Sequence, residues 1–393
     1  MTELRVSVRN TSDLGGTALT PFFLGFHNNS FDLYELGAAA SPGLEALAED
    51  GNTSVLAAEL TAADADAQTV NVVGARGPIG TRELTSATLD VDGVSNGFLS
   101  FASMVLPSND AFVGTANALS LFDADGGFTG AQTVVFDGGD VRDAGTEVNT
   151  ELDAAFINQT APNTGITENG VVTIHPGFNG SLGNPGGDQI ILGGTNAFGD
   201  TIDPTAADFT LPGAQVATVH VNTVKHATGT DGADVFWGKK ADDIIDAGDG
   251  NDFAFGGRGW DVLNGEGGND KLFGNAGDDI LDGGAGNDKL AGGRGSDDVS
   301  GGDGKDSIWG VQGNDNLVGG ADKDFILGGQ GNDVITGGTG NDVSNGGGGD
   351  DVFVFSEGDG DDTIIGFARK GDAAIALSVT GFASLADITH AAH

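Results

Sequence analysis

A chain of 393 residues has room for two or three domains with buried cores, and its 70 glycines stand beside plentiful Leu, Ile, Val and Phe, which excludes collagen and disordered low-complexity sequence. Its 58 acidic against 16 basic residues give a net charge of -42, which repels nucleic-acid phosphates and anionic membrane surfaces and attracts cations. The absence of cysteine excludes a disulfide framework and thiolate metal sites. The opening MTELRVSVRNTS has neither the basic nor the apolar region of a signal peptide, and no run of about 18 apolar residues exists to span a membrane. The expectation is a cytosolic chain, or one exported without a cleaved N-terminal signal.

In residues 1–226, strand-like runs (LRVSVRN, TVNVVG, QTVVFD, GVVTIHP) alternate with Gly, Asn, Asp and Pro, and one helical stretch falls at PGLEALAED. This predicts a β-sandwich with a short helix. Three ordered passages carry a resemblance: NNSFDLYELGAAASPGLEALAEDGNTSVL, then PSNDAFVG at 107–114, then DAGTEVNTE at 143–151, with HPGF at 175–178 following. Together they resemble a spondin N-terminal domain, which implies a C2-like β-sandwich with a calcium site in its loops. By that resemblance Asp110, Asp143 and Glu147 are candidate ligands; the plainer reading makes Asp110 and Asp143 turn caps. The chain departs from the animal domains in having GGDVR before its DAGT.

From residue 228 to 353 glycine and aspartate dominate, in fourteen nonapeptides. The seventh position is aspartate throughout: Asp234, Asp243, Asp252, Asp261, Asp270, Asp279, Asp288, Asp297, Asp306, Asp315, Asp324, Asp333, Asp342 and Asp351. The second position is glycine in thirteen repeats and the fifth in twelve, and the ninth is large and apolar in twelve, Ala254 and Ser344 excepted. Glycines permit positive-φ turns and the ninth residue points inward from a short strand, so two nonapeptides make one coil of a two-sided solenoid. Aspartates eighteen apart then lie one rung apart, ~4.8 Å, in two columns. Stacked carboxylates repel by ~1 kcal/mol per neighbouring pair even in water, which calls for a hard divalent cation; carboxylate and glycine carbonyl oxygens suit calcium better than magnesium or zinc. A solenoid held by packing alone is the competing reading, and packing does not require two aspartate columns.

The nonapeptide resembles the RTX, or hemolysin-type, calcium-binding repeat. The resemblance implies an all-β chain, a C2-like sandwich followed by a parallel β-roll with multiple calcium ions at the fourteen aspartates. It further implies secretion to the extracellular space through a type I apparatus and folding on calcium. Sites beside Ala233, Trp260, Ser296, Lys305 and Lys323 at the sixth position, and Lys239, Glu266 and Val311 at the third, are expected to bind more weakly. Residues 354–393 resemble the segment that closes such a roll, followed by a short helix and an export tail.

No complete catalytic motif is present. There is no HExxH, and the six histidines show no ligand pair at helical spacing, which suits surface or turn positions for most of them. Residues 93–97 match GxSxG around Ser95, but an apolar strand-like run follows where a nucleophile elbow needs a helix. DADGG and DVDGV resemble the start of an EF-hand loop but carry Val134 and Phe101 at the twelfth position, so both read as hairpin turns. The expectation is a secreted calcium-binding, non-enzymatic protein that attaches to extracellular matrix, glycan or a cell surface, with no nucleic acid partner and no membrane span. The alternatives are a hydrolase with an unrecognised site in residues 1–226 and a calcium-dependent lattice component, which predicts oligomers.

Overall fold

The computed structural model describes residues 1–12, 16–106, 111–144, 171–174 and 214–365, and the backbone of 374–377. The chain divides into two compact units, Met1–Thr223 and Val224–His393. Among the described residues no helix is long and apolar enough to cross a membrane.

The first unit contains β1 (Thr2–Asn10), β2 (Ala18–Leu19), β3 (Phe22–His27), α1 (Pro42–Asp50), α2 (Ser54–Ala63), β4 (Gln68–Val72), β5 (Leu84–Val91), β6 (Phe98–Leu106), β7 (Ala111–Gly114), β8 (Leu119–Ser120), β9 (Gln132–Asp137), β10 (Arg142–Asp143) and β11 (Thr173–Ile174), and residues 215–223 of β12 (Gln215–Thr228). One antiparallel sheet has the order β9–β12–β1–β5; the other has the order β11–β10–β7–β6–β3–β4, with β2 and β8 also on β6. Period-two alternation assigns the faces. Phe22, Leu24 and Phe26 of β3 and Leu99 and Phe101 of β6 meet Leu4, Val6 and Val8 of β1 between the sheets. Phe23, Ala102 and Phe112 face the other way, onto Leu44, Leu47, Leu56 and Leu60 of the helices.

The helix at PGLEALAED is present, with Ser41 as N-cap accepting from the Leu44 N–H at 3.2 Å, and Gly51 closing it at φ 65°. A second helix, α2, was not expected from the sequence. Its Leu56 and Leu60, four apart, share the buried face, and its Glu59 holds α1 by accepting from Ser41 Oγ at 2.7 Å and the Gly43 N–H at 2.8 Å.

The DADGG segment forms a hairpin turn: Asp123 Oδ1 accepts from the Gly127 N–H at 2.8 Å and Phe122 bridges Phe128. DVDGV is a turn of another kind, because β5 belongs to one sheet and β6 to the other, so it crosses the sandwich. Ser95 sits in that turn, between two strands; a methyl on Gly93 would strike the Phe122 ring, so this glycine serves packing.

The second unit is a parallel β-roll of two sheets. One runs from residues 224–228 through Asp242–Asp246 to Val352–Phe355 and Ala374–Leu377; the other has eight strands, from Val235–Trp237 to Thr363–Ile364. Partners lie eighteen apart, as in Leu272↔Leu290 and Leu281↔Val299. The ninth-position residues, Ile245 to Phe353, form one continuous buried column that takes in Ala254, and Ser344 is buried in its turn. Burying each Leu or Ile there contributes ~1.5–3 kcal/mol. The closing segment adds the last rung: Thr363↔Val343 and Ala374↔Val352 pair at twenty and twenty-two residues in place of eighteen. The helix and export tail expected beyond it lie outside the described residues.

Candidate metal centre

From Lys271 to Gly348 each strand runs from the eighth position of one nonapeptide to the fourth position of the next, and the chain then turns over three residues. The third and fifth positions have positive φ, as at Gly284 (89°) and Gly286 (141°), which glycine adopts without strain. The second-position glycine answers to a different demand. A methyl on Gly283 would lie 2.6 Å from Asp288 Oδ2 and 2.5 Å from the carbonyl oxygen of Gly301; on Gly265 the values are 2.6 Å to Asp270 Oδ2 and 2.5 Å to Gly283 O. A carboxylate oxygen and a carbonyl oxygen of the next rung thus face the same narrow space beside each of these glycines.

The two oxygens of each interior aspartate have different surroundings. Oδ1 accepts the backbone N–H of the aspartate one rung earlier, as from Asp252 to Asp270, Asp270 to Asp288 and Asp288 to Asp306, all at 2.7 Å. Oδ2 of Asp252, Asp270, Asp279, Asp288, Asp297, Asp306, Asp324 and Asp342 is buried and accepts no hydrogen bond. Thirteen of the fourteen aspartates are buried, Asp234 being the half-buried exception. The first rung of each column differs: Asp234 Oδ2 accepts from the Thr230 N–H and hydroxyl at 2.8 Å, and Asp243 Oδ2 from the Lys239 N–H at 3.1 Å.

Sixth-position side chains make a second ladder running in the opposite sense. Asn251 Oδ1 accepts from the Asn269 N–H and Asn269 Oδ1 from the Asn287 N–H. Lys305 and Lys323 bring no acceptor, and Lys323 Nζ instead donates to the Asn341 carbonyl at 3.0 Å.

Burial dominates the electrostatics. It pushes the carboxyls of Asp270 and Asp288 up to about 6, Asp324 to about 7 and Asp297 to about 10, with neighbouring aspartates adding to the rise. Asp279 is raised well above the ordinary value, by burial first and then by Asp261. A buried carboxylate oxygen without a donor is costly when charged. A hard cation among these oxygens relieves both the desolvation and the repulsion, so the residues present fit calcium. Among the described residues no three His, Asp or Glu side chains gather at one point; the carboxylates are strung one per repeat, and a cation would draw on main-chain carbonyls.

Asp362 was missed in the sequence. It accepts the Asp342 N–H at 2.9 Å, and burial raises its carboxyl to about 6, so it continues the Asp234 column one rung further. The two-residue insertion before it takes it out of the nonapeptide register.

In the first unit, Asp143 is buried at the end of β10, opposite Ala111 of β7 and Thr173 of β11. Asp110 and Glu147 lie outside the described residues, as do His175, His390 and His393. The expectation of surface or turn histidines fails for His27 and His220. His27 is buried in β3 with Nε2 3.0 Å from Ser100 Oγ, and burial lowers its pKa; His220 is buried in β12, 2.8 Å from Thr133 Oγ1. His226 is exposed.

Comparison with known families agrees with this geometry. The Spondin_N family matches residues 16–169, and the RTX calcium-binding nonapeptide repeat (4 copies) matches overlapping stretches from 228–259 to 318–353. No curated protein matches the chain. The chain therefore carries a spondin-like N-terminal region followed by RTX calcium-binding nonapeptide repeats.

Proposed function

We propose that this is a secreted, extracellular protein whose roll folds on calcium and whose sandwich attaches it to a matrix, glycan or cell-surface partner, with no catalytic step. The observation that carries the calcium reading is the row of buried Oδ2 atoms without donors at Asp252, Asp270, Asp288, Asp306, Asp324 and Asp342. Under this reading interior aspartates hold the ions through Oδ2, with second-position glycine carbonyls of the next rung adding oxygens. Asp234 and Asp243 take a smaller part, because their Oδ2 atoms already accept hydrogen bonds. Asp110, Asp143 and Glu147 are proposed to hold a separate ion in the first unit.

Extracellular modules bind calcium at ~0.1–1 mM, so the roll would stay unfolded in a cell interior and gain ~2.7 kcal/mol per site at a hundredfold excess over Kd. Export in an unfolded state through a type I apparatus follows naturally from that dependence. The test is calorimetric titration of calcium into the chelator-stripped full chain, repeated after Asp110→Ala with Asp143→Ala. A cooperative, multi-site heat that loses about one site in the variant supports both metal assignments. Full heats in the variant remove the sandwich site, and absent heats remove the calcium reading. The non-enzymatic reading is checked on a panel of esters, glycans and peptides; activity abolished by Ser95→Ala would overturn it.

A further inference from the structure

The two faces of the roll carry opposite charge. The strand segments of one sheet, residues 235–240, 253–258, 271–276, 289–294, 307–312, 325–330 and 343–348, contain six basic residues (Lys239, Lys240, Arg258, Lys271, Lys289, Arg294) and no acidic one. The seven corresponding segments of the other sheet, from 244–249 to 352–357, contain seven acidic residues (Asp246, Asp249, Glu266, Asp282, Asp298, Asp303, Glu357) and no basic one. In a chain of net charge -42, an acid-free face of seven strands is a marked exclusion.

The basic face is also apolar where it meets solvent. Trp237 is 68% exposed, Val235 60% and Phe325 41%. Trp237, Phe255 and Phe273 stack in register with centroids 4.5 and 4.9 Å apart, and Phe253 packs against all three. The opposite face presents half-buried Ile244, Val262, Ile280 and Val318 between its carboxylates. Both faces repeat at the same eighteen-residue rung spacing.

We infer that the basic aromatic face of one copy docks on the acidic aliphatic face of a second copy. Equal rung spacing lets the basic rows of residues 235–294 meet the carboxylate rows of residues 244–303, and charge reversal between the faces fixes which one meets which. Six residues by six rung intervals give ~600 Å² per face, and ~1,200 Å² in total is the lower end of specific interfaces. The contact is heterologous, so it propagates in place of closing as a dimer. The overall negative charge opposes it, and each calcium ion bound in the turns removes two of those charges.

The inference needs a folded roll but not any one calcium stoichiometry, and the test separates the two. Sedimentation velocity is run on the full chain in millimolar calcium, with far-UV circular dichroism of the same samples reporting the fold. The wild type is expected to form oligomers that grow with concentration. The Lys271→Glu, Lys289→Glu variant and the Glu266→Lys, Asp303→Lys variant are each expected to keep the dichroism of the roll and sediment as monomers. Their equimolar mixture is expected to associate again. A folded wild type that stays monomeric at ~100 μM, above the dissociation constants usual for such an interface, or reversal variants that associate as the wild type does, overturns the docking. A roll folded equally well in chelator contradicts the calcium reading and leaves sedimentation to decide the docking.

Discussion

The backbone N–H of Asp270 donates to Oδ1 of Asp288, 2.7 Å away and eighteen residues on, while Oδ2 of the same Asp288 carboxylate is buried and accepts nothing. One oxygen therefore joins the rungs whether or not metal is present. The other is useful only to a cation, and the difference between them can be measured.

Asp288→Asn keeps an acceptor at Oδ1 and removes the charge. It is expected to leave the metal-free roll as stable as before or more so, and to lower calcium-loaded stability by ~1–3 kcal/mol through the loss of a charged partner. Urea melts with and without calcium check both halves; equal destabilisation in the two conditions would assign Asp288 a packing role.

The pH dependence has a definite sign. Folding raises Asp270 and Asp288 to about 6 and Asp324 to about 7 from the ordinary 3.8, so the metal-free folded roll binds more protons than the unfolded chain. Metal-free stability is then highest near or below pH 4, falls as pH rises through 6–7, and keeps falling more slowly beyond that range because Asp297 is raised to about 10. Calcium reverses the trend, because protons compete for the same carboxylates below about pH 7. Melts in chelator and in calcium at pH 5 and 8 show whether the slopes have opposite signs.

Val311 stands at a third position with φ 88° and is 44% exposed, a backbone conformation that strains a β-branched residue. Val311→Gly is expected to raise stability by ~1 kcal/mol. At a second position the outcome inverts: Gly283→Ala forces a methyl against Asp288 Oδ2 and Gly301 O, with an expected loss of ~2 kcal/mol or more and a higher calcium midpoint. Thermal melts of the two variants in calcium settle the contrast.

Lys323→Asn restores an acceptor to the outer ladder and withdraws an ammonium from the Asn341 carbonyl. It is expected to strengthen calcium binding at that end of the roll several-fold, since the Lys323 charge acts on the Asp342 carboxyl and competes with a cation there. A titration followed by dichroism reads the midpoint; an unchanged midpoint would leave Lys323 without influence on the ions.

The roll was readable because fourteen repeats hold aspartate, glycine and an apolar residue at fixed offsets, and a period of nine has one compact solution. The sequence pattern failed where that period breaks: Asp362 continues a column but stands twenty residues from Asp342. It also merged two uses of glycine. Positive φ explains Gly284 and Gly286, whereas Gly283 is glycine because two oxygens leave no room for a methyl. In the sandwich, the strands LRVSVRN, TVNVVG and QTVVFD were visible by alternation. Helix α2 was not, because SVLAAELTAA has only Leu56 and Leu60 to mark its buried face. The burial of His27 depends on Ser100, seventy-three residues away, a pairing that local sequence does not contain.

Hydrogen exchange on the full chain, in chelator and in ~1 mM calcium, the upper range for extracellular modules, tests the calcium-driven fold most directly. The account predicts that amides in residues 228–353 exchange freely in chelator and become protected together when calcium is added, while β1, β3 and β6 of the sandwich stay protected in both. Equal protection of residues 228–353 with and without calcium would contradict it.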